Sequence, residues 1–249
     1  MASFVLVHGA WHGGWCWARI APRLRASGHI VYTPTMTGFG ERSHLLSQDV
    51  GLETNVTDIM NVLLWEDLEN VILMGASYAG MVTTSVADRM PERIAALAYL
   101  NAFIAADGVS QNDMLPDWRR EMIEKEIESD PDAWRMPPPE PELFGVTDPE
   151  ELAWIRSKMT IQSATTFRDR AKITGGIDRI TNRTFIRATG YPNSTFDATL
   201  KTYQEHPTWK AHVLDTSHDA MITAADDVLA ILEGIADSLG DWSPPKISC

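Results

Sequence analysis

The chain has 249 residues, of which 44% are hydrophobic and 22% charged, a composition that favours one globular domain and excludes a disordered protein. Its formal net charge of -13 at pH 7 disfavours nucleic acid and anionic membranes as partners, because both repel an acidic surface. We therefore expect neither a nucleic-acid-binding protein nor a membrane-surface protein.

Short apolar runs alternate with helical patterns along the N-terminal part of the chain. Strands are predicted at residues 4–7, 30–33, 71–74 and 94–100, and helices at residues 17–27, 54–64 and 78–89. Strands that alternate with helices indicate βαβ units. The sequence thus predicts an α/β fold with a mostly parallel central sheet flanked by helices.

The alternation breaks at about residues 107–180, where prolines interrupt short helical pieces. We interpret this stretch as an inserted, mainly helical lid on a single domain that spans residues 1–249. The pattern then resumes, with strands at residues 184–189 and 212–214, helices at 200–205 and 226–239, and a loose tail at 242–249.

A serine follows the third predicted strand and opens a helix. Residues 75–80 read Gly-Ala-Ser-Tyr-Ala-Gly, with small residues on both sides of Ser77. A sharp strand-to-helix turn needs small neighbours, and it leaves the hydroxyl exposed above the edge of the sheet. This context favours Ser77 as a nucleophile over an ordinary helix N-cap.

A glycine-rich segment follows the first predicted strand, and residues 8–15 read His-Gly-Ala-Trp-His-Gly-Gly-Trp. Acyl transfer needs N–H donors aimed at the oxygen that becomes negative in the transition state. We predict the backbone N–H groups of Ala10 and Tyr78 as this oxyanion hole, since Ala10 follows the first strand and Tyr78 follows the nucleophile. The tryptophans of the segment are interpreted as core aromatics, and the role of His12 is left open.

A serine hydroxyl needs an adjacent base at neutral pH. Among seven histidines, His218 lies between the last predicted strand and the terminal helix, so it is the candidate base. The competing residues His206 and His212 are interpreted as surface or strand positions.

The acid that should orient this base is not at its expected place. Gly190 directly follows the strand predicted at residues 184–189, and a glycine cannot serve. Asp197 is the first carboxylate downstream and is the predicted acid, although it also fits a helix cap. Asn101, after the strand at residues 94–100, is the neutral alternative, and Asp107 is a third candidate.

The cysteine content and the N-terminal sequence indicate the cellular compartment in which the protein is expected. The only cysteines are Cys16 and Cys249, which form no disulfide framework or metal-binding motif, although a disulfide between them is conceivable. The N-terminus has no basic region of a signal peptide, and no apolar run is long enough to span a bilayer. We expect a cytoplasmic protein, with Cys16 as a buried thiol.

Five segments together carry a resemblance to the α/β-hydrolase superfamily. More narrowly, the chain resembles a lid-bearing group of plant methyl-ester esterases, hydroxynitrile lyases and small bacterial carboxylesterases and carbamate hydrolases. The segments are residues 4–17, residues 38–42, the turn at Ser77, residues 100–103 and residues 217–221.

Sequence differences from that group limit the activities that the resemblance implies for this chain. The lyases carry a threonine where this chain has Gly9 and a lysine where it has Asp219, so lyase activity is not expected. The group's usual acid is replaced by Gly190. Relatives in the group hydrolyse esters, amides and carbamates, and the resemblance does not choose among these substrates.

The sequence as a whole predicts a serine hydrolase that cleaves a small carboxylic ester, carbamate or amide through an acyl-enzyme. No metal or organic cofactor is implied, and the oligomeric state is not determined. Two alternatives are a ligand receptor on a hydrolase scaffold and a cofactor-free lyase or oxygenase, because a fold does not fix a function.

Overall fold

The computed structural model describes residues 1–130 and 132–240. The tail at residues 242–249, with Cys249 and any disulfide it would form, lies outside the described residues. The eight strands of the described chain are β1 (Ser3–Val7), β2 (Ile30–Tyr32), β3 (Val71–Ala76), β4 (Ile94–Leu100), β5 (Arg135–Met136), β6 (Gln162–Ser163), β7 (Arg183–Ala188) and β8 (Trp209–Leu214). Its nine α-helices are α1 (Ala21–Ala26), α2 (Leu52–Trp65), α3 (Ala79–Arg89), α4 (Asp117–Ser129), α5 (Pro149–Lys158), α6 (Thr165–Arg168), α7 (Ser194–Tyr203), α8 (Ala220–Thr223) and α9 (Ala225–Ser238).

Six strands form a parallel sheet in the order β2-β1-β3-β4-β7-β8. Every residue of β1 and β3 is buried, as expected for strands covered by helices on both faces. The chain moves from β1 outward to β2 and then returns to β3 on the other side of β1. This reversal is the place where open α/β sheets bind ligands, at the carboxyl ends of the strands.

Strand register brings the candidate site residues to one edge of the sheet. Val7 pairs with Gly75, and Ala76 pairs with Leu100, so β1, β3 and β4 end together. Ala188 pairs with Leu214 in the same way at the ends of β7 and β8. The segments that follow these five strands therefore meet above a single edge.

Two helices differ from their predicted bounds. The helix predicted at residues 17–27 is shorter in the structure and corresponds to α1 alone. A 3-10 helix at Gly14–Trp17 precedes it. The α-helix starts late because Pro22 lacks an N–H group and is accommodated in the first turn. The helix predicted at residues 200–205 begins earlier, at Ser194. The Asn193 side chain caps it by accepting hydrogen bonds from the N–H groups of Thr195 and Phe196.

The predicted lid falls on helices and a small antiparallel sheet between β4 and β7. Helices α4, α5 and α6 belong to it, together with the pair β5–β6. Its C-terminal end is fastened to α3, because the Asp88 carboxylate accepts hydrogen bonds from the N–H groups of Thr174, Gly175 and Ile177. We call residues 107–180 the cap segment below.

All nine α-helices named above lie within the described ranges 1–130 and 132–240. None of the helices there has both the length and the apolar character needed to cross a bilayer.

Candidate active site

Ser77 lies in the turn between β3 and α3 with φ of 53°, in the left-handed region. A non-glycine residue there is strained, and a sharp turn that exposes a nucleophile requires this conformation. Its N–H donates to Leu100 O at 3.0 Å, and its carbonyl accepts from Phe103 N–H at 3.1 Å, so the end of β4 holds the turn in place. Among the described residues, the Ser77 hydroxyl has no hydrogen-bond partner, and it faces a cavity.

Small residues are required around this turn because backbone segments approach one another closely. A Cβ atom at Gly75 would lie 2.5 Å from Thr83 Oγ1, which is closer than packed atoms allow. A Cβ atom at Gly9 would lie 3.0 Å from Ser77 Cβ. The glycine after β1 therefore lets the predicted oxyanion segment pack directly against the nucleophile turn.

The two residues predicted for the oxyanion hole flank the nucleophile. Ala10 is buried and lines the same cavity as Ser77, and Tyr78 directly follows Ser77 and is fully buried. Beyond Ala10, Trp11 has φ of 60°, and its N–H donates to Gln162 Oε1 at 3.0 Å. The cap segment, through Gln162, thus fixes the backbone of the oxyanion segment.

His218 is buried and lines the cavity with Ser77. Its backbone N–H donates to Phe144 O at 2.7 Å, and its ring lies parallel to that of Phe196, with centroids 5.8 Å apart. Burial lowers the pKa of His218 to about 4, and the nearby positive charge of Arg187 acts in the same direction. The ring is therefore neutral at pH 7, as a general base must be.

Asn101 contacts the imidazole of His218, as the neutral alternative in the sequence analysis proposed. Its Nδ2 lies 3.2 Å from His218 Nδ1 and also donates to Ala188 O at 3.1 Å. Its Oδ1 accepts from Ala188 N–H at 3.0 Å and from Arg187 Nη1 at 3.1 Å. These partners fix the orientation of the amide, because a flipped amide would face donors with its NH2 group and a carbonyl with its oxygen.

The orientation of this amide determines where the neutral histidine holds its proton. Because Asn101 presents an N–H donor, His218 Nδ1 acts as the acceptor, and the ring proton resides on Nε2. A serine hydrolase needs the opposite tautomer, with the proton on Nδ1 and a free lone pair on Nε2. Asn101 therefore positions His218 but does not stabilise its protonated form.

The structure does not place Asp197 against His218. Asp197 lies in the first turn of α7, its side chain is 61% exposed, and its Oδ1 accepts from Arg187 Nε at 2.8 Å. It reaches the base only indirectly, through Arg187 and then Asn101. Asp107, the third candidate, is exposed, and its carboxylate accepts from the backbone N–H of residue 173.

Gly190 leaves no room for an acidic side chain. Its N–H donates to Thr216 O at 2.8 Å, and a Cβ atom at Gly190 would lie 2.5 Å from that oxygen. The close approach of the two backbones after β7 and β8 therefore accounts for the missing carboxylate at this position.

Sequence reasoning missed Arg187, whose side chain is 2% exposed. Its guanidinium donates to Asn101 Oδ1, to the carbonyl groups of Ala188 and Tyr191, and to Asp197. The available signal was an arginine that directly follows the apolar residues Phe185 and Ile186 in a predicted strand, since a buried arginine there needs several acceptors.

A cavity of about 270 Å³ lies between the sheet edge and the cap segment. Its lining is mostly aromatic and aliphatic, which suits an apolar ligand. The apolar lining residues are Ala10, Trp11, Phe103, Leu115, Met122, Ile123, Ala133, Met136, Pro137, Pro138, Pro139, Phe144, Phe167, Tyr191 and Phe196. Ser77 and His218 lie on its wall, together with the polar residues Gln111, Arg119, Arg135 and Asn193.

Comparisons with known proteins agree with this architecture. A family model described as "Alpha/beta hydrolase family" matches residues 4–231. A carbendazim hydrolyzing esterase of Nocardioides sp. (strain SG-4G) is 37% identical over 235 residues, which cover 92% of this chain and 97% of that protein. Methylesterase 10 of Arabidopsis thaliana is 25% identical, with 94% of this chain and 91% of that protein covered. An extracellular α/β-hydrolase from a Paenibacillus species superimposes with a TM-score of 0.79 at 21% identity, covering 97% of this chain and 100% of that one.

Proposed function

This chain belongs to the α/β-hydrolase family, and we propose that it cleaves a small carboxylic ester or carbamate through an acyl-enzyme formed on Ser77. The observation that carries the proposal is the strained turn that presents the Ser77 hydroxyl to the same cavity as a buried, neutral His218. A nucleophile and a base that share one apolar cavity are the minimum that acyl transfer requires.

The proposed reaction has two halves. Ser77 Oγ bonds to the substrate carbonyl carbon while His218 takes the hydroxyl proton, and the N–H groups of Ala10 and Tyr78 hold the oxyanion. When the bond to the leaving group breaks, His218 returns the proton to the departing oxygen. A water molecule then attacks the acyl-enzyme by the same steps, releasing the acid and restoring Ser77.

We propose Asn101, not Asp197, as the residue that orients the base. The direct contact with His218 Nδ1 supports Asn101, whereas Asp197 is exposed and paired with Arg187. Before His218 can accept the serine proton at Nε2, its own proton must move to Nδ1, where the Asn101 amide then gives up its hydrogen bond. This requirement predicts a slower base than one held by a carboxylate.

The cavity lining supports a flat or apolar substrate group held against aromatic rings. Esters and carbamates share the carbonyl that the oxyanion hole would bind, and the esterase named for carbendazim hydrolysis supports including carbamates. Amides remain a less favoured substrate class, since their nitrogen leaving group needs more complete protonation by His218.

The proposal is tested by combining turnover with covalent labelling. Aryl and alkyl esters, carbamates including carbendazim, and amides are incubated with the full chain, and a fluorophosphonate is then used as an active-site label. We expect hydrolysis of at least one ester or carbamate, and one label per chain located by peptide mass spectrometry on Ser77. Label on another residue, or no turnover of any compound, would contradict the proposal.

We propose that the cap segment acts as a lid that selects substrates. Phe144 lines the cavity, and its ring lies 5.4 Å from that of His218, whereas Trp134 belongs to the same segment but not to the lining. Phe144→Ala is expected to raise kcat/KM for bulky acyl groups relative to acetyl esters by about 10-fold, in the range that one altered apolar contact gives. The control Trp134→Ala should leave this ratio unchanged. Equal losses for all substrates, together with a lower Tm, would show that Phe144 serves the core alone.

We place the protein in the cytoplasm as part of the same proposal. The observation in support is that Cys16 is buried and forms no disulfide with any residue of the ranges 1–130 and 132–240, as is usual in a reducing compartment. The exclusion of nucleic acid as a partner stays a prediction from the net charge.

A further inference from the structure

A buried histidine–carboxylate pair lies beside the proposed catalytic residues. His12 Nε2 and Asp219 Oδ2 are 3.4 Å apart, and their side chains are 5% and 2% exposed. The other ring nitrogen of His12, Nδ1, lies 2.7 Å from Ala10 O and donates to it. The pair therefore joins the proposed oxyanion segment to the residue that directly follows His218.

The pKa shifts of both partners favour the charged form of the pair. Burial alone would raise the pKa of the Asp219 carboxyl, but the nearby charge of His12 lowers it below the usual value. Burial alone would lower the pKa of His12, but Asp219 raises it above the usual value. The ring Nδ1–H donates to Ala10 O, and the contact between Nε2 and Asp219 Oδ2 at 3.4 Å is an ion pair without a hydrogen bond.

The pair and the catalytic residues border the same small cavity of about 10 Å³. His12, Asp219, Ser77 and His218 all line it. The charged groups that act on His218 are Asp219, which raises its pKa, and His12 and Arg187, which lower it. The other titratable groups next to the pair are His8, beside His12, and the thiol of Cys16, beside Asp219.

Asp219 differs from Asn101 and Arg187, which also lie near His218, in carrying a negative charge. Asn101 offers the base an uncharged N–H donor, and Arg187 is a cation. Asp219 is the anion within this group of neighbours, and the ion pair with His12 keeps it ionised where burial would otherwise neutralise it.

We infer that Asp219, held by His12, is a positioning residue whose charge stabilises the imidazolium of His218 during acyl transfer. This inference rests on the proposed function. It assigns to Asp219 the electrostatic task that a triad carboxylate performs elsewhere, while the geometric task stays with Asn101. The imidazolium forms when His218 takes the serine proton, and it disappears when that proton passes to the leaving group.

The experiment compares Asp219→Asn with the control Asp215→Asn, which removes an exposed carboxylate from the same loop. Each is assayed with an aryl ester that has a good leaving group and an alkyl ester that has a poor one. Asp219→Asn is expected to lower kcat by about 10-fold for the aryl ester and about 100-fold for the alkyl ester, because an alkoxide depends more on the imidazolium proton. Asp215→Asn should stay within about 2-fold of the wild type, as expected for an exposed group.

The pKa of His218 provides a readout that does not depend on turnover. In protein labelled with ¹³C and ¹⁵N at histidine, the ring shifts of His218 are titrated in the wild type, in Asp219→Asn, in His12→Gln and in Asp215→Asn. Removing the anion should lower the pKa of His218. Because a buried Asp219 without its cation would take up a proton, His12→Gln should lower the pKa of His218 as well, whereas Asp215→Asn should leave it unchanged. His12→Gln keeps the test available if Asp219→Asn does not fold.

The outcomes separate this inference from the proposed function. Equal losses of kcat for both esters in Asp219→Asn, or a His218 pKa that neither variant moves, would overturn the role of Asp219 while leaving Ser77 catalysis intact. A wild-type chain that cleaves no ester or carbamate would overturn the proposed function, and the inference would fall with it.

Discussion

Ser77→Ala is expected to lower kcat/KM for every ester and carbamate that the chain cleaves by about 10³-fold or more. Without the hydroxyl no acyl-enzyme forms, and only binding and oxyanion stabilisation remain. The residue keeps its Cβ atom, and the backbone bonds of the turn to Leu100 and Phe103 do not involve the side chain. The fold should therefore survive, which circular dichroism and Tm would check.

A matched control for this substitution lies on the following helix. Ser85 is buried, and its hydroxyl donates to Met81 O and lies outside the lining of the cavity. Ser85→Ala should change the free energy of unfolding by about 1 kcal/mol, the value of one hydrogen bond, and leave kcat almost unchanged. If folded Ser77→Ala retained near-normal turnover, Ser77 would not be the nucleophile.

Asn101→Asp is expected to raise kcat at neutral pH by about 10-fold to 100-fold. A carboxylate at this position would accept a hydrogen bond from the Nδ1–H group of His218, which selects the tautomer that a general base needs and stabilises the imidazolium. It would keep the partners Arg187 and Ala188 N–H, while losing the bond that Nδ2 donates to Ala188 O. Residue 101 has φ of 44°, which aspartate tolerates about as well as asparagine.

The pH dependence of kcat/KM tests the same substitution, and the direction of its change can be stated. A negative charge beside His218 raises its pKa above about 4, so the acidic limb of kcat/KM should move to higher pH in Asn101→Asp. The matched control is Asp197→Asn, which neutralises the exposed carboxylate on the far side of Arg187 and should change kcat by less than about 5-fold. If folded Asn101→Asp had the kcat of the wild type and Asp197→Asn lost most of its kcat, Asp197 would be the acid that acts on His218.

Several parts of this protein follow from local sequence. Residues 71–76 form a buried strand because a short, continuous apolar run suits a strand covered on both faces. Gly75 is required by atoms of the same turn and of the helix that follows it. Gly9 shows in the sequence as part of a glycine-rich segment, although the contact that requires it, with Ser77, comes from the pairing of β1 with β3. The candidate nucleophile, the candidate oxyanion segment and the position of His218 between β8 and α8 could therefore be proposed from patterns that span only a few residues.

The partners of His218 could not be predicted in this way, since they depend on which strand ends are neighbours. Asn101 reaches Ala188 and His218, at sequence separations of 87 and 117 residues, because β4 pairs with β7 and β7 pairs with β8. Chain order pointed to Asp197, but the turn of α7 directs that carboxylate to Arg187 and solvent. Electrostatic interactions of buried groups depend on distance and burial, and only the packed sheet edge brings His12 to Asp219 and an amide instead of a carboxylate to the base.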